Sequence, residues 1–114
     1  MEFMLIMITD RDTEVDPSIM PEMGKFAGEL AAAGKIRGGS PLHPVAEGSR
    51  VAGFGEGVAV TTGPFTETRE VIGGFFLIDC ESAEEAVEIA KRCPHNKIGF
   101  TEVRQVIPMG PPPE

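Results

Sequence analysis

The segment TTGPFTETREVIGGFFLID, residues 61–79, contains an arginine that could bind a small acid and a glutamate that could act on it. If residues 65–70 are extended, Glu67 and Arg69 share one face of the strand, because alternate side chains point to the same side. A guanidinium fork can hold a carboxylate or an enolate, and a neighbouring carboxylate can act as a general base. Two interpretations stay open: a ligand site, or an ion pair that orients the strand.

Three further titratable residues are candidates for the same site. His43, in the sequence PLHP, is a candidate proton shuttle near neutral pH. Asp10 and Asp79 lie at the ends of predicted strands, where carboxylates can line the mouth of a cleft but also cluster for solubility. His95 follows a helix, and its imidazolium could simply favour the negative end of the helix dipole.

The sequence contains no recognisable cofactor or metal motif. With two histidines and two cysteines, no metal-ligand spacing is present. The nucleophile elbow, the phosphate loop and the dinucleotide fingerprint are also missing. We therefore predict neither a metal nor a cofactor.

Composition is that of one globular domain. The 114 residues are 41% hydrophobic and 25% charged. A net charge of -8 without a lysine or arginine cluster argues against a nucleic-acid partner. The apolar runs are too short for a membrane span and the N-terminal run does not resemble a signal peptide, so we expect a cytoplasmic protein. Cys80 and Cys93 are then predicted to be buried, reduced thiols.

The elements that must position these residues alternate between strand and helix patterns. Helices are predicted from near Pro21 to Gly34 and from Ser82 to Cys93, the second opening with a capping box at residues 82–85. Strands are predicted at residues 3–8, 35–40, 72–80 and 99–107, with hairpin strands at 51–54 and 58–61. Gly73-Gly74 indicates a bulge or a close backbone approach, and a bulge at a sheet rim often borders a pocket. This order of elements is an α+β, ferredoxin-like split βαβ plan with an inserted β-hairpin. It occupies residues 1–107, and the proline-rich tail 108–114 is expected to be mobile.

Two of the predicted strands are apolar on both faces. Residues 4–8 and 75–78 have no polar alternation, so both faces of the sheet should be dry. Two helices cover only one face of a four-stranded sheet. We therefore predict a homodimer in which the uncovered faces of two sheets pack together.

The segments GPFTETREVIGGFFLID, FMLIMITD and EVRQV resemble the YCII-related, or DGPF, family. The resemblance implies a dimeric α+β barrel, a plan shared with cofactor-free oxygenases, isomerases, dehalogenating lyases and ligand-sensing domains. Some relatives look like lyases that use a His-Asp pair, and some are associated with alternative sigma factors. The residue before Gly63 is usually Asp and is Thr62 here; a threonine hydroxyl caps a turn weakly and cannot act as a general base near neutral pH.

Two functions are consistent with these observations. The first is a cofactor-free pocket that binds a small acidic or enolisable metabolite and acts on it as a lyase or isomerase. The second is a non-catalytic dimeric interaction module in sigma-factor-linked transcription regulation. For the first, the catalytic candidates are Glu67, Asp79 and His43, and the ligand-binding candidates are Arg69, Thr62 and Asp10.

Overall fold

The computed structural model describes residues 1–65 and 68–110. Its main sheet is antiparallel, with the strand order β2-β5-β1-β6. A second, two-stranded sheet pairs β3 with β4. The strands are β1 Glu2–Asp10, β2 Ile36–Pro41, β3 Ser49–Ala52, β4 Ala59–Thr62, β5 Glu70–Asp79 and β6 Phe100–Gln105; the helices are α1 Ile19–Ala32 and α2 Ala83–Lys91. This strand order with two crossover helices confirms the predicted ferredoxin-like α+β fold with an inserted hairpin.

The predicted elements are present with shifted ends. Helix α1 begins at Ile19, so Pro21 lies inside its first turn, where its missing N–H leaves no helical bond unmade. The hairpin turn occupies residues 53–58 and is longer than the predicted turn at residues 55–57. Gly53 and Gly55 both adopt positive φ within it, a conformation that glycine adopts readily.

The hydrophobic core lies between the helices and one face of the main sheet. Alternate residues of β1 and β5 supply its floor, and the Phe26 ring of α1 packs edge-on against Phe76 at 5.9 Å. The floor residues are Phe3, Leu5, Met7, Phe76 and Ile78. The residues between them face the other side and are only half-buried: Met4, Ile6, Phe75 and Leu77.

A β-bulge lies where β5 begins to pair with β1. Met7 pairs with Gly74 and Ile8 pairs with Ile72, which leaves Gly73 as the extra residue. A Cβ atom at Gly74 would lie 2.9 Å from the Ser40 carbonyl oxygen, so only glycine allows β2 to approach this closely. The predicted bulge is confirmed.

The capping box of α2 forms with a shift of one residue. The Ser82 hydroxyl accepts a hydrogen bond from the Glu85 amide at 3.1 Å, as predicted. The Glu85 carboxylate accepts from the Glu81 amide at 3.0 Å rather than from the Ser82 amide. The same carboxylate also forms an ion pair with Lys35.

The environment expected of the cysteines is also found. Cys80 and Cys93 are buried and free, and burial raises the pKa of both thiols. Neither α1 nor α2 is long and apolar enough to cross a membrane, judged on residues 1–65 and 68–110.

Strands β3 and β4 form an arm that projects from the main sheet. All its strand residues are exposed, and Val51 pairs with Val60 on one face. Phe54, in the turn, is 98% exposed. The radius of gyration, 16.2 Å, exceeds the roughly 13 Å of a compact chain of this length.

Candidate functional site

A cleft of about 650 Å³ lies between α1 and the main sheet, at the edge where β1 and β2 end and β5 begins. Its walls are mainly apolar side chains of the helix and the sheet, among them Met7, Met20, Met23, Ile36 and Phe76. The bulged residue Gly73 borders it, as sequence analysis expected of a bulge at a sheet rim. This volume suits a small organic ligand.

The segment that follows β2 forms the outer wall of the cleft. The Leu42 amide donates to the Gly73 carbonyl at 2.9 Å, which ties this segment to the bulge. Gly39 has φ +144°, and a Cβ there would lie 2.5 Å from the Phe75 carbonyl oxygen. The wall therefore depends on glycine at this position.

His95 is the buried polar side chain that lines the cleft. It is 6% exposed, and its Nε2 lies 2.9 Å from the Ile8 carbonyl oxygen. Because a carbonyl can only accept, Nε2 carries the proton and Nδ1 of the neutral ring is an acceptor. None of the described residues forms a hydrogen bond with Nδ1. Every fully buried side-chain nitrogen or oxygen atom among the described residues does have a hydrogen-bond partner. Nδ1 is therefore not fully buried, and His95 is one of the residues that line the cleft.

The turn that carries His95 is fixed at both sides. The Asn96 amide group donates to the Ala90 carbonyl at 2.8 Å, and its oxygen accepts from the Thr101 hydroxyl at 2.8 Å. A Cβ at Gly99 would lie 2.1 Å from the Ile8 carbonyl oxygen, so glycine lets this segment press against β1. The local sequence indicated only a helix-end role for His95, because the burial of this residue depends on a non-local contact that no local pattern reveals.

Asp10, Asp12 and Arg69 form a charged cluster at the rim. The Arg69 guanidinium lies 2.9 Å from the Asp10 carboxylate and 3.1 Å from the Asp12 carboxylate. The backbone amide of Asp12 donates a hydrogen bond to the Asp10 carboxylate and lowers its pKa, and the charge of the Arg69 guanidinium lowers that pKa further. Asp10 lines the cleft, and in this arrangement Arg69 binds two carboxylates of its own chain.

The other predicted site residues are placed differently. His43 lines the mouth of the cleft with its side chain 91% exposed, and its Nδ1 lies 3.8 Å from the Glu47 carboxylate. Thr62 ends β4 in the arm, in register with Ser49. Glu67 lies outside the described residues.

Asp79 lies at the opposite end of β5 from the cleft. The α-amino group of Met1, at 3.1 Å, and then Arg37 lower the pKa of its carboxyl. The ten residues of β5 separate it from the rim cluster by roughly 30 Å. Asp10 and His43 thus line one cleft, Arg69 pairs with Asp10 at its rim, and Asp79 and Thr62 are not among the lining residues.

No group of three histidine, cysteine or acidic side chains within residues 1–65 and 68–110 could hold a metal ion. The polar groups around the cleft instead suit hydrogen bonding and proton transfer with an organic ligand.

The strand order, the inserted arm and the cleft beside α1 define the chain as a ferredoxin-like α+β domain with a one-sided pocket. The YCII-related domain family matches residues 1–110, and the chain belongs to this family, as its resemblance predicted. An uncharacterised protein of Rhizobium meliloti (strain 1021) is 32% identical over 78 residues. That match spans 68% of this chain and 63% of the relative, so the chain covers less than two thirds of the relative's length.

Among solved structures, a similar chain is the 5-chloro-2-hydroxyhydroquinone dehydrochlorinase of Burkholderia phenoliruptrix AC1100 in complex with 2,5-dihydroxybenzoquinone. It is 19% identical, the alignment covers 94% of each chain, and the TM-score is 0.43.

Proposed function

We propose that this chain is a cofactor-free small-molecule-binding protein that acts as a lyase or isomerase on an acidic or enolisable metabolite. The observation that carries this proposal is the cleft of about 650 Å³, with apolar walls and a buried imidazole. Apolar walls hold the body of a ligand, and a few polar groups orient it.

The charged groups at the mouth have a role in this proposal. An acidic group of the ligand would replace one of the two carboxylates, Asp10 or Asp12, that Arg69 now binds. Asp10 would contact the ligand from the rim. His43 and Glu67 stay as candidates for proton transfer at the mouth. Asp79 and Thr62 have no part in this cleft, because they lie at the far end of β5 and in the arm.

The proposal is tested by filling the cleft from helix α1. Gly24 lines the cleft and Gly28, one turn further on, does not; a Cβ at either meets nothing within 4 Å. Gly24→Phe should therefore fold and occupy the cleft, and Gly28→Phe is its matched control. A thermal-shift screen covers small organic acids, phenols and lactones. A ligand at 100 times its Kd should stabilise the native protein and Gly28→Phe by about 2.7 kcal/mol, and Gly24→Phe by much less.

A ligand that stabilises Gly24→Phe as strongly as the native protein binds elsewhere and would contradict the proposal. So would a screen in which no compound stabilises the native protein.

The exposed arm favours a second candidate, the non-catalytic dimeric interaction module linked to sigma factors. An isolated two-stranded hairpin is marginally stable, and Phe54 at its turn is 98% exposed. The test is sedimentation of the protein mixed with purified alternative sigma factors. Co-sedimentation that Phe54→Ser abolishes supports this candidate, and its absence with the native protein overturns it.

We further propose that the protein is a homodimer joined through the half-buried face of the main sheet, in a cytoplasmic setting. The four apolar residues of that face lie beside Glu102 and Arg104 of β6, which pair with Ile6 and Met4. An apolar centre with a polar rim is the usual composition of a protein interface.

A further inference from the structure

Charged side chains around the cleft are confined to its rim. Among the described lining residues, the charged groups are Asp10 and Arg11, with His43 at the mouth. The Arg11 guanidinium lies 3.6 Å from the Asp12 carboxylate and donates to the Phe65 carbonyl at 3.4 Å, so it is directed along the rim. A carboxylate drawn into the depth of the cleft would lose its water without meeting a cation there, which is costly.

His95 is the buried polar side chain among the described lining residues, whereas the hydroxyl-bearing side chains of Thr9, Thr13 and Ser40 are not buried. The hydrogen bond from Nε2 of His95 to the Ile8 carbonyl holds the proton on Nε2, so Nδ1 presents a lone pair. A group that can only accept a hydrogen bond, such as an ether oxygen or a carboxylate, is repelled at this position. A neutral O–H group is attracted to it.

We propose that the cleft selects ligands with an uncharged hydroxyl on an apolar body, phenols or enols, and that Nδ1 of His95 accepts the hydroxyl hydrogen bond. The inference rests on the proposed function and narrows the group that enters the depth of the cleft to a neutral hydroxyl donor, while an acidic group of the ligand would stay at the rim beside Arg69. His95 then acts as a ligand-orienting residue, a role that sequence analysis did not give it.

Three probes of nearly equal size isolate the hydroxyl. In 4-methylphenol the ring carries a neutral donor, in 4-methylanisole an ether replaces the donor, and in 4-methylbenzoate a carboxylate replaces it. Calorimetric titration of the native protein at neutral pH should give the tightest binding for 4-methylphenol. Loss of one buried hydrogen bond should weaken 4-methylanisole by up to roughly tenfold, and 4-methylbenzoate should bind more weakly still.

Two variants assign the effect to His95. The Nε2 of a glutamine falls near that of histidine, so His95→Gln can keep the bond to Ile8 while it removes the Nδ1 acceptor. It should melt near the native midpoint and bind 4-methylphenol and 4-methylanisole equally. Glu88→Gln, on the exposed surface of α2 and away from the cleft, is the control and should keep the native preference.

Nitrogen NMR reads the contact directly. Because the chain has two histidines, His43→Gln leaves His95 as the sole imidazole signal. The free protein should show the proton on Nε2, and 4-methylphenol should shift Nδ1 while that proton stays. A proton on Nδ1 in the free protein overturns the inference, and an unshifted Nδ1 in the complex does the same.

The binding outcomes separate this inference from the proposed function. If 4-methylbenzoate or 4-methylanisole binds as tightly as 4-methylphenol, the selectivity claim is wrong, although a cleft that Gly24→Phe blocks still supports the function. Equal binding of 4-methylphenol by His95→Gln and the native protein also overturns it. If none of the probes binds, this inference falls, and the proposed function falls with it only if the wider screen finds no ligand that Gly24→Phe excludes.

Discussion

At the scale of single residues, Gly99 matters to the cleft as much as the histidine near it. Its missing side chain lets the turn at residues 94–97 lie against the end of β1, which places the imidazole of His95 beside the Ile8 carbonyl. Any Cβ at this position would overlap backbone atoms, which cannot move aside as a flexible side chain can.

Replacing Gly99 by alanine should therefore destabilise the protein. Overpacking of this kind costs about 1–3 kcal/mol, measured by urea unfolding. Gly28→Ala is the matched control, because position 28 is helical and open, and there the same change should stabilise the protein by about 1 kcal/mol. Equal unfolding midpoints for Gly99→Ala and the native protein would show that the turn does not press on β1 as described.

The sequence identified some of the site at this scale. It marked Asp10 and His43, which line the cleft, and Arg69, which pairs with Asp10 at the rim, because charged residues next to predicted strand ends are visible locally. It paired Arg69 with Glu67 by alternation along one strand, whereas the described partners of Arg69 are Asp10, the last residue of β1, and Asp12, just after it. His95 was missed for the same reason, since its setting depends on residues distant in the chain.

At the scale of elements, the start of α2 is fixed to the start of β2 by charge. Glu85 closes the cap of α2 through the Glu81 amide and pairs with Lys35, the residue before β2. The Lys35 ammonium, followed by the Glu81 amide, lowers the pKa of Glu85, and the Glu85 carboxylate raises the pKa of Lys35. The capping box could be predicted from local spacing. The ion pair with Lys35 could not, because only tertiary packing brings the lysine next to Glu85.

The pair should contribute to stability over a defined range of pH. The lowered pKa of Glu85 gives stabilisation that is present above its unfolded value of 4.5 and is lost as pH falls through its folded value. The raised pKa of Lys35 gives stabilisation that is present below 10.5 and is lost as pH rises through its folded value. Lys35→Met should thus lower the Tm near pH 7, and its difference from the native protein should shrink in acid.

Melting curves from pH 7 downwards check this, with Lys91→Met as control. Lys91 pairs with Glu88 on the open surface of α2, where an ion pair contributes little at any pH. A Tm difference for Lys35→Met that stays constant into acid would mean that the lysine acts through packing and not through charge.

At the scale of the whole molecule, the sheet has one face under the helices and one face half-buried. The strand sequences predicted a second apolar face, since β1 and β5 are apolar at successive positions, and the alternation of strands with helices predicted the ferredoxin-like plan. The cleft could not be predicted, because its walls come from α1, from the end of β2 and from the turn at residues 94–97, which meet only in the folded chain.

The proposed homodimer gives a prediction at this scale. Leu77→Lys places a charge in the half-buried apolar face, where a second copy would have to desolvate it, so the variant should sediment as a folded monomer. Val87→Lys puts the same charge on an exposed position of α2 and should stay dimeric like the native protein. A Leu77→Lys protein that still sediments as a dimer would place the interface elsewhere.

The arm and the cleft share one stretch of chain. Val45, in the outer wall, lies where the two legs of the arm meet: the Gly63 amide bonds to the Gly48 carbonyl at 2.9 Å, and a Cβ at Gly63 would lie 2.6 Å from the Val45 carbonyl oxygen. A molecule that moved the arm would therefore displace the wall of the cleft. By thermodynamic reciprocity, a ligand whose affinity depends on the position of that wall would alter the affinity of the arm for such a molecule by the same factor.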